Sequence, residues 1–183
     1  MDELGAVILT GGAASRMGQD KALMLWAGRT AVDRVAQIAG AVGAKVVLTV
    51  GGQGDYGYPQ AVEATAFGGP VGGVLAGMAA LRAAGCARAL VLAVDAPTLE
   101  AEDLAPLIAH GAPGARYAGL HLPLVMALDA VPADASAGWP MARLAEGLVK
   151  LDCPEAARAR VRGANTPEER DALLAALGER EPG

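Results

Sequence analysis

Unbroken apolar runs of strand length alternate with longer stretches of helical periodicity through the first half of the chain. Gly5–Leu9 (GAVIL), Lys45–Val50 (KVVLTV) and Arg88–Val94 (RALVLAV) each read as a buried strand, because runs this short without polar alternation suit a strand covered on both faces. Thr30–Gly43 (TAVDRVAQIAGAVG) predicts a helix with Thr30 as N-cap and Asp33 three residues on, close to a capping box. Gly68–Gly85 opens with a glycine-proline turn and predicts a second helix that stops near Gly85.

The second half is less regular. Leu99–Gly111 predicts a helix, Leu122–Leu128 (LPLVMAL) a strand and Trp139–Leu151 (WPMARLAEGLVKL) another helix. The last pattern, Asn165–Gly178, carries clear punctuation: Thr166 as N-cap, Pro167 at the first helical position, Glu169 two residues later and Gly178 as the stop. Strand and helix alternate as they do in a mostly parallel sheet with helices on both faces, an α/β architecture. No internal repeat or long linker divides the chain, so residues 1–178 are expected to form a single domain and 179–183 a frayed tail.

Composition narrows the partners. The 183 residues are 53% hydrophobic but only 3% aromatic, so the core must be aliphatic and rich in alanine. No apolar run approaches the roughly 18 residues of a membrane span, and the N-terminus shows no signal-peptide pattern, so a cytoplasmic location without membrane attachment is expected. A net charge of −5 with mixed signs argues against nucleic-acid binding, which calls for a basic face. An anionic ligand therefore needs local positive groups or a metal. Cys86 and Cys153 are far apart and read as free thiols in a reducing compartment. The two histidines, His110 and His121, leave little for a zinc site or a histidine-activated nucleophile.

Directly after the first strand comes LTGGAASRMGQDKAL, from Leu9 to Leu23. It matches neither GxxxxGK[ST] nor GxGxxG. The physics is nonetheless that of a phosphate loop: Gly11 and Gly12 expose backbone N–H groups, Arg16 offers a planar fork and Lys21 a mobile charge. The competing reading is a long surface loop with basic residues. Asp95 stands at the end of the third strand, on the carboxyl edge where open α/β sheets bind ligands. It either caps the next segment or, paired with a phosphate loop on the same edge, holds Mg2+. Gly69, Gly73 and Gly77 repeat every fourth residue. They serve either close helix-on-sheet packing or a slot for ribose or base, lined from Gly69 through Pro70 to Gly73.

Together, LTGGAASRMGQDKAL, GGPVGGVLAG, VLAVDAPTL and NTPEE resemble the molybdenum cofactor guanylyltransferase (MobA-type) family of nucleotidyltransferases, in order and over nearly the whole chain. The Leu-Thr-Gly-Gly opening, the Asp20–Lys21 pair and the Asn-Thr-Pro-Glu-Glu segment point to the guanylyl branch over the cytidylyl one. The resemblance implies a single-domain Rossmann-like nucleotidyltransferase fold. By position, nucleotide contacts fall on Leu9, Thr10, Gly11 and Lys21, and the metal aspartate on Asp95. Of two asparagines near the pterin substrate, one falls on Asn165 and the other on Gly163. The base-contacting asparagine after the second strand falls on Thr49, and an aspartate before the glycine-proline loop has Glu63 as its nearest acidic neighbour.

The implied reaction is transfer of GMP from GTP to the phosphate of molybdopterin or its metal-loaded form, with Mg2+ and release of pyrophosphate. Arg16, Lys21 and Asp95 would carry it by alignment and charge neutralisation. Contacts with other molybdenum cofactor biosynthesis or acceptor proteins are a further expectation. The alternatives are a cytidylyl- or other nucleotidyltransferase of the same fold acting on a different phosphorylated acceptor, and a non-catalytic nucleotide binder. The helix N-terminus after Asn165 is expected to offer unpaired N–H groups to the pterin or its phosphate.

Overall fold

The computed structural model describes residues 3–11, 20–52, 54–62 and 69–180. Leu4–Leu9 forms β1, buried along its whole length. A single turn at Lys21–Leu23 follows, with the Asp20 carboxylate accepting from the Ala22 N–H at 2.9 Å. Strands β2 (Leu25–Trp26) and β3 (Arg29–Thr30) pair antiparallel across Ala27–Gly28, both at positive φ, as a tight hairpin turn requires. Helix α1 (Ala31–Ala41) starts at Thr30, whose hydroxyl accepts from the Asp33 N–H, as its sequence predicts.

Strand β4 (Val46–Val50) and the two-residue β5 (Gln60–Ala61) precede α2 (Gly69–Ala83), and β6 (Arg88–Ala93) precedes α3 (Ala101–Ala109). Then come β7 (Gly114–Tyr117), β8 (Leu124–Ala127), the short α4 (Met141–Leu144), β9 (Val149–Leu151), α5 (Glu155–Arg162) and α6 (Pro167–Arg180). The described strands form a seven-stranded sheet in the order β5-β4-β1-β6-β8-β7-β9. Strands β5, β4, β1 and β6 pair in parallel, β8 runs antiparallel to β6 and β7, and β9 is parallel to β7.

Alternate residues of the central strands feed two cores, one on each face. Ala6 and Ile8 of β1 face α1, α3, α5 and α6, while Val7 and Leu9 face α2 and α4. Both faces are therefore covered, which is why β1 and β6 read as continuous apolar runs. The expected α/β domain with helices on both faces is the observed one. No helix among the described residues is long and apolar enough to cross a membrane. Cys86 is buried and Cys153 partly buried, both as free thiols.

Two expectations about elements are corrected. The helix expected over Trp139–Leu151 covers only Met141–Leu144, after which the chain turns and Val149–Leu151 joins the sheet beside β7. Met141, Leu144, Ala145 and Leu148 are all buried at helical spacing, so the pattern alone favoured a helix. The open edge of β7 decided otherwise: the Ala118 N–H donates to the Leu151 carbonyl at 2.8 Å. The last helix also does not stop at Gly178 but runs on to Arg180.

Candidate active site

The carboxyl edge of the sheet is built around β1 and β6. At the end of β1 the Thr10 N–H donates to the Val50 carbonyl at 2.9 Å, and the Thr10 hydroxyl donates to the Gly51 carbonyl at 2.6 Å. The Leu9 carbonyl is taken by the Val94 N–H at 3.2 Å. Leu9 and Thr10 are thus bound into the framework, and their side chains are buried. Gly11 is exposed, and a Cβ there would lie 2.9 Å from the Gly52 nitrogen. Glycine is required here because the chain after β1 passes hard against the turn after β4. Gly12 and Arg16 lie outside the described residues, as does Glu63.

Beyond that stretch, Asp20 fixes the turn that carries Lys21. One carboxylate oxygen takes the Ala22 N–H, and the other takes the Tyr56 hydroxyl at 2.6 Å. Burial, followed by this bond, raises the Tyr56 hydroxyl above the ordinary tyrosine value. The ring occupies space left by two glycines: a Cβ at Gly52 would overlap the Tyr56 hydroxyl, and one at Gly54 would lie 2.9 Å from the ring. Sequence reasoning missed Tyr56. The available signal was the glycine pattern of Gly51, Gly52 and Gly54 just ahead of an aromatic residue.

Asp95 follows β6 and is half-buried. Burial pushes its carboxyl above the usual carboxylate range, and the nearby Lys21 ammonium offsets part of that rise. Two residues predicted from separate motifs are thereby brought within electrostatic reach. The backbone of Asp95 is held from the other side by the connection between α5 and α6. The Ala164 N–H donates to the Asp95 carbonyl at 2.9 Å, and a Cβ at Gly163 would overlap that same carbonyl. Gly163 adopts φ 70° and ψ −172°, a conformation essentially reserved for glycine. This chain carries glycine where the family resemblance placed an asparagine, and a side chain there would be strained and would overlap Asp95.

Two cavities flank this centre. One, of about 330 Å3, lies on the β4 side and is lined by Thr49, Gly54, Asp55, Tyr56, Tyr58 and Gln60. Thr49 is its fully buried floor, with its N–H donating to the Pro59 carbonyl at 2.9 Å. The other, of about 190 Å3, lies on the β8 side, where Asp95 and Leu99 face His121, Pro123, Val161 and Arg162. Asp55, Gln60, His121 and Arg162 were also missed from sequence, since none belongs to a motif.

The remaining predicted residues divide. Gly69 and Pro70 are exposed at the start of α2, Gly69 at φ 70° with open space where a Cβ would stand. Gly73 is buried within α2, and a Cβ at Gly77 would lie 2.6 Å from the Val7 methyls, so close packing accounts for that end of the stripe. Asn165 is exposed, two residues beyond Gly163. The N-terminus of α6 is not open as expected: Glu169 accepts from the Asn165 N–H at 2.8 Å and the Thr166 N–H at 3.2 Å, while Thr166 accepts from the Glu169 N–H. This reciprocal cap, with its bond to Arg162, holds the Glu169 carboxyl below its ordinary range.

The model of the MobA-like NTP transferase domain matches residues 6–127, which include most of β1, the Lys21 turn and Asp95. The chain belongs to this family. It is a nucleotidyltransferase. A molybdenum cofactor guanylyltransferase of Xanthomonas euvesicatoria pv. vesicatoria is 32% identical, over 92% of this chain and 93% of the relative. Another from Acidiphilium cryptum is 40% identical over 64% of this chain and 63% of the relative. Among solved structures, molybdopterin-guanine dinucleotide biosynthesis protein A from Archaeoglobus fulgidus superposes with a TM-score of 0.64 at 17% identity, covering 96% of this chain and 99% of that one. A 4-diphosphocytidyl-2C-methyl-D-erythritol synthase gives a TM-score of 0.72 at 15% identity, covering 97% and 100%. These two likenesses establish the nucleotidyltransferase fold.

Proposed function

We propose that this nucleotidyltransferase moves GMP from GTP to the phosphate of molybdopterin or its metal-loaded form. The reading rests on the spatial order along the carboxyl edge: a polar cavity beside β4, the Lys21–Asp95 pair at β1 and β6, then a second cavity beside β8. A donor nucleotide on the β4 side and an acceptor on the β8 side would meet at the pair. The names of the relatives supply guanosine and molybdenum cofactor as the two partners.

Asp95 suits a hard divalent cation such as Mg2+, which takes one or two carboxylates and completes its shell with phosphate oxygens and water. The described residues contain no cluster of three or more His, Cys, Asp or Glu that could hold a metal by themselves, which fits a cation shared with substrate. When bound, the cation neutralises phosphate charge. Lys21 draws the triphosphate to the edge and stabilises negative charge on the departing pyrophosphate. The acceptor phosphate is already anionic, so the chemistry needs no general base, and positioning supplies most of the acceleration.

Incubation with Mg2+, molybdopterin and each of GTP, CTP and ATP, scoring pyrophosphate release and the dinucleotide product, tests the reading. GTP is expected to be used in preference. Equal or better use of CTP moves the protein to the cytidylyl branch, and GTP binding without transfer makes it a binder.

A further inference from the structure

We infer that Arg162 and His121, which line the β8-side cavity beside Asp95, are the side chains that recognise the acceptor's phosphate. The inference rests on the GMP-transfer reading above. The cavity of about 190 Å3 has Asp95 as one wall, and Leu99, Leu122, Pro123 and Val161 supply apolar surface beside it. His121 and Arg162 are the two basic groups in its lining. An apolar recess with a few convergent polar groups is the usual form of a small-molecule site.

The position in the fold gives the cavity its role. Strand β8 runs antiparallel to β6, so the segment His121–Pro123 that enters β8 stands at the same edge as Asp95, where β6 ends. A molecule seated there faces the donor phosphates across Asp95. Its phosphate oxygen forms the new bond to the α-phosphorus, while the bond from that phosphorus to the bridging oxygen breaks and its electron pair leaves on pyrophosphate. Two phosphate groups must therefore approach beside a carboxylate, and cationic or hydrogen-bond-donating side chains on the acceptor side are needed to offset their repulsion.

Arg162 is prepared for that task. Its Nη2 pairs with Glu169, and its other guanidinium nitrogens have no hydrogen-bond partner among the described residues. Glu169 is fixed in turn by the Asn165 and Thr166 N–H groups, so the guanidinium is anchored at one end with N–H donors to spare. Helix α5 is itself locked by Arg160, whose Nε and Nη2 reach the buried Asp103 carboxylate at 2.8 and 2.6 Å. The arginine is thus presented from a helix that is itself fixed to the core.

Steady-state kinetics with Mg2+-GTP and molybdopterin test the inference. Arg162→Ala and His121→Ala are each expected to raise the acceptor KM about tenfold or more, the loss of a charge-assisted contact, with the GTP KM unchanged. Glu169→Gln, which loosens the anchor of Arg162 but leaves its guanidinium in place and can still accept the cap N–H groups, is expected to raise the acceptor KM clearly less than Arg162→Ala does. An unchanged acceptor KM in both alanine variants overturns the assignment while leaving the GMP-transfer reading intact. An equal rise in Arg162→Ala and Glu169→Gln also overturns it, because the pair would then act only as a structural strap. A wild-type protein that transfers no GMP to molybdopterin overturns the GMP-transfer reading, and the assignment falls with it.

Discussion

The Tyr56 hydroxyl donates to the Asp20 carboxylate at 2.6 Å, tying the segment after β4 to the residue that precedes Lys21. The bond lies beside the β4-side cavity and fixes where the Lys21 turn begins. Tyr56→Phe removes the donor and leaves a partly buried carboxylate oxygen short of a partner, at a cost of about 1 kcal/mol in stability. The GTP KM is expected to rise several-fold in Tyr56→Phe while the acceptor KM stays constant. Unchanged GTP kinetics in a folded variant would show that Lys21 is positioned without this bond.

Lys21→Ala is expected to weaken GTP binding and slow transfer by about tenfold or more, as loss of a phosphate-binding charge does, with little change in Tm. Calorimetric titration with GTP and a thermal melt on the same preparation check both halves. Parallel losses of stability and affinity would place Lys21 in a structural pair instead.

Asp95→Asn is expected to abolish nearly all transfer, since it keeps the size of the side chain and removes its charge. Its stability should move the other way. Burial raises the folded-state pKa of Asp95 above the unfolded one, so the folded state holds the proton more tightly. The metal-free wild type therefore loses stability as pH rises from the ordinary carboxylate value through the raised one. Thermal melts without metal or nucleotide should find Asp95→Asn at least as stable as wild type at neutral pH, with the gap closing as pH falls into the carboxylate range. A variant less stable at neutral pH would mean that the charge has a favourable partner in the free protein.

Gly163→Ala forces a side chain into an essentially glycine-only conformation and against the Asp95 carbonyl. The backbone strain alone costs about 1–3 kcal/mol. A lowered Tm is expected together with reduced kcat, because the connection can relieve the overlap only by shifting Asp95. Full activity with a wild-type Tm would show that the backbone there is free to rearrange.

Local chemistry was enough to determine the repeating βα units, the Thr30 and Thr166 caps and the candidacy of Lys21 and Asp95. Continuous apolar runs report burial on both faces, hydroxyl caps report helix starts, and a carboxylate closing a strand of an α/β sheet falls on the binding edge by topology. Tertiary structure alone decided the rest. Val149–Leu151 became a strand because β7 had an open edge, against a helical pattern that was locally as good. Helix α5 buries little beyond Ala157 and Val161, too narrow a stripe to be read from sequence, yet it presents Arg162 and carries Gly163 to Asp95. Tyr56 meets Asp20 across 36 positions of chain, and His121 meets Arg162 at one cavity only because β8 runs antiparallel to β6. Those relationships depend on how strands are ordered in the sheet, and strand order is set by packing between distant segments, which no local pattern encodes.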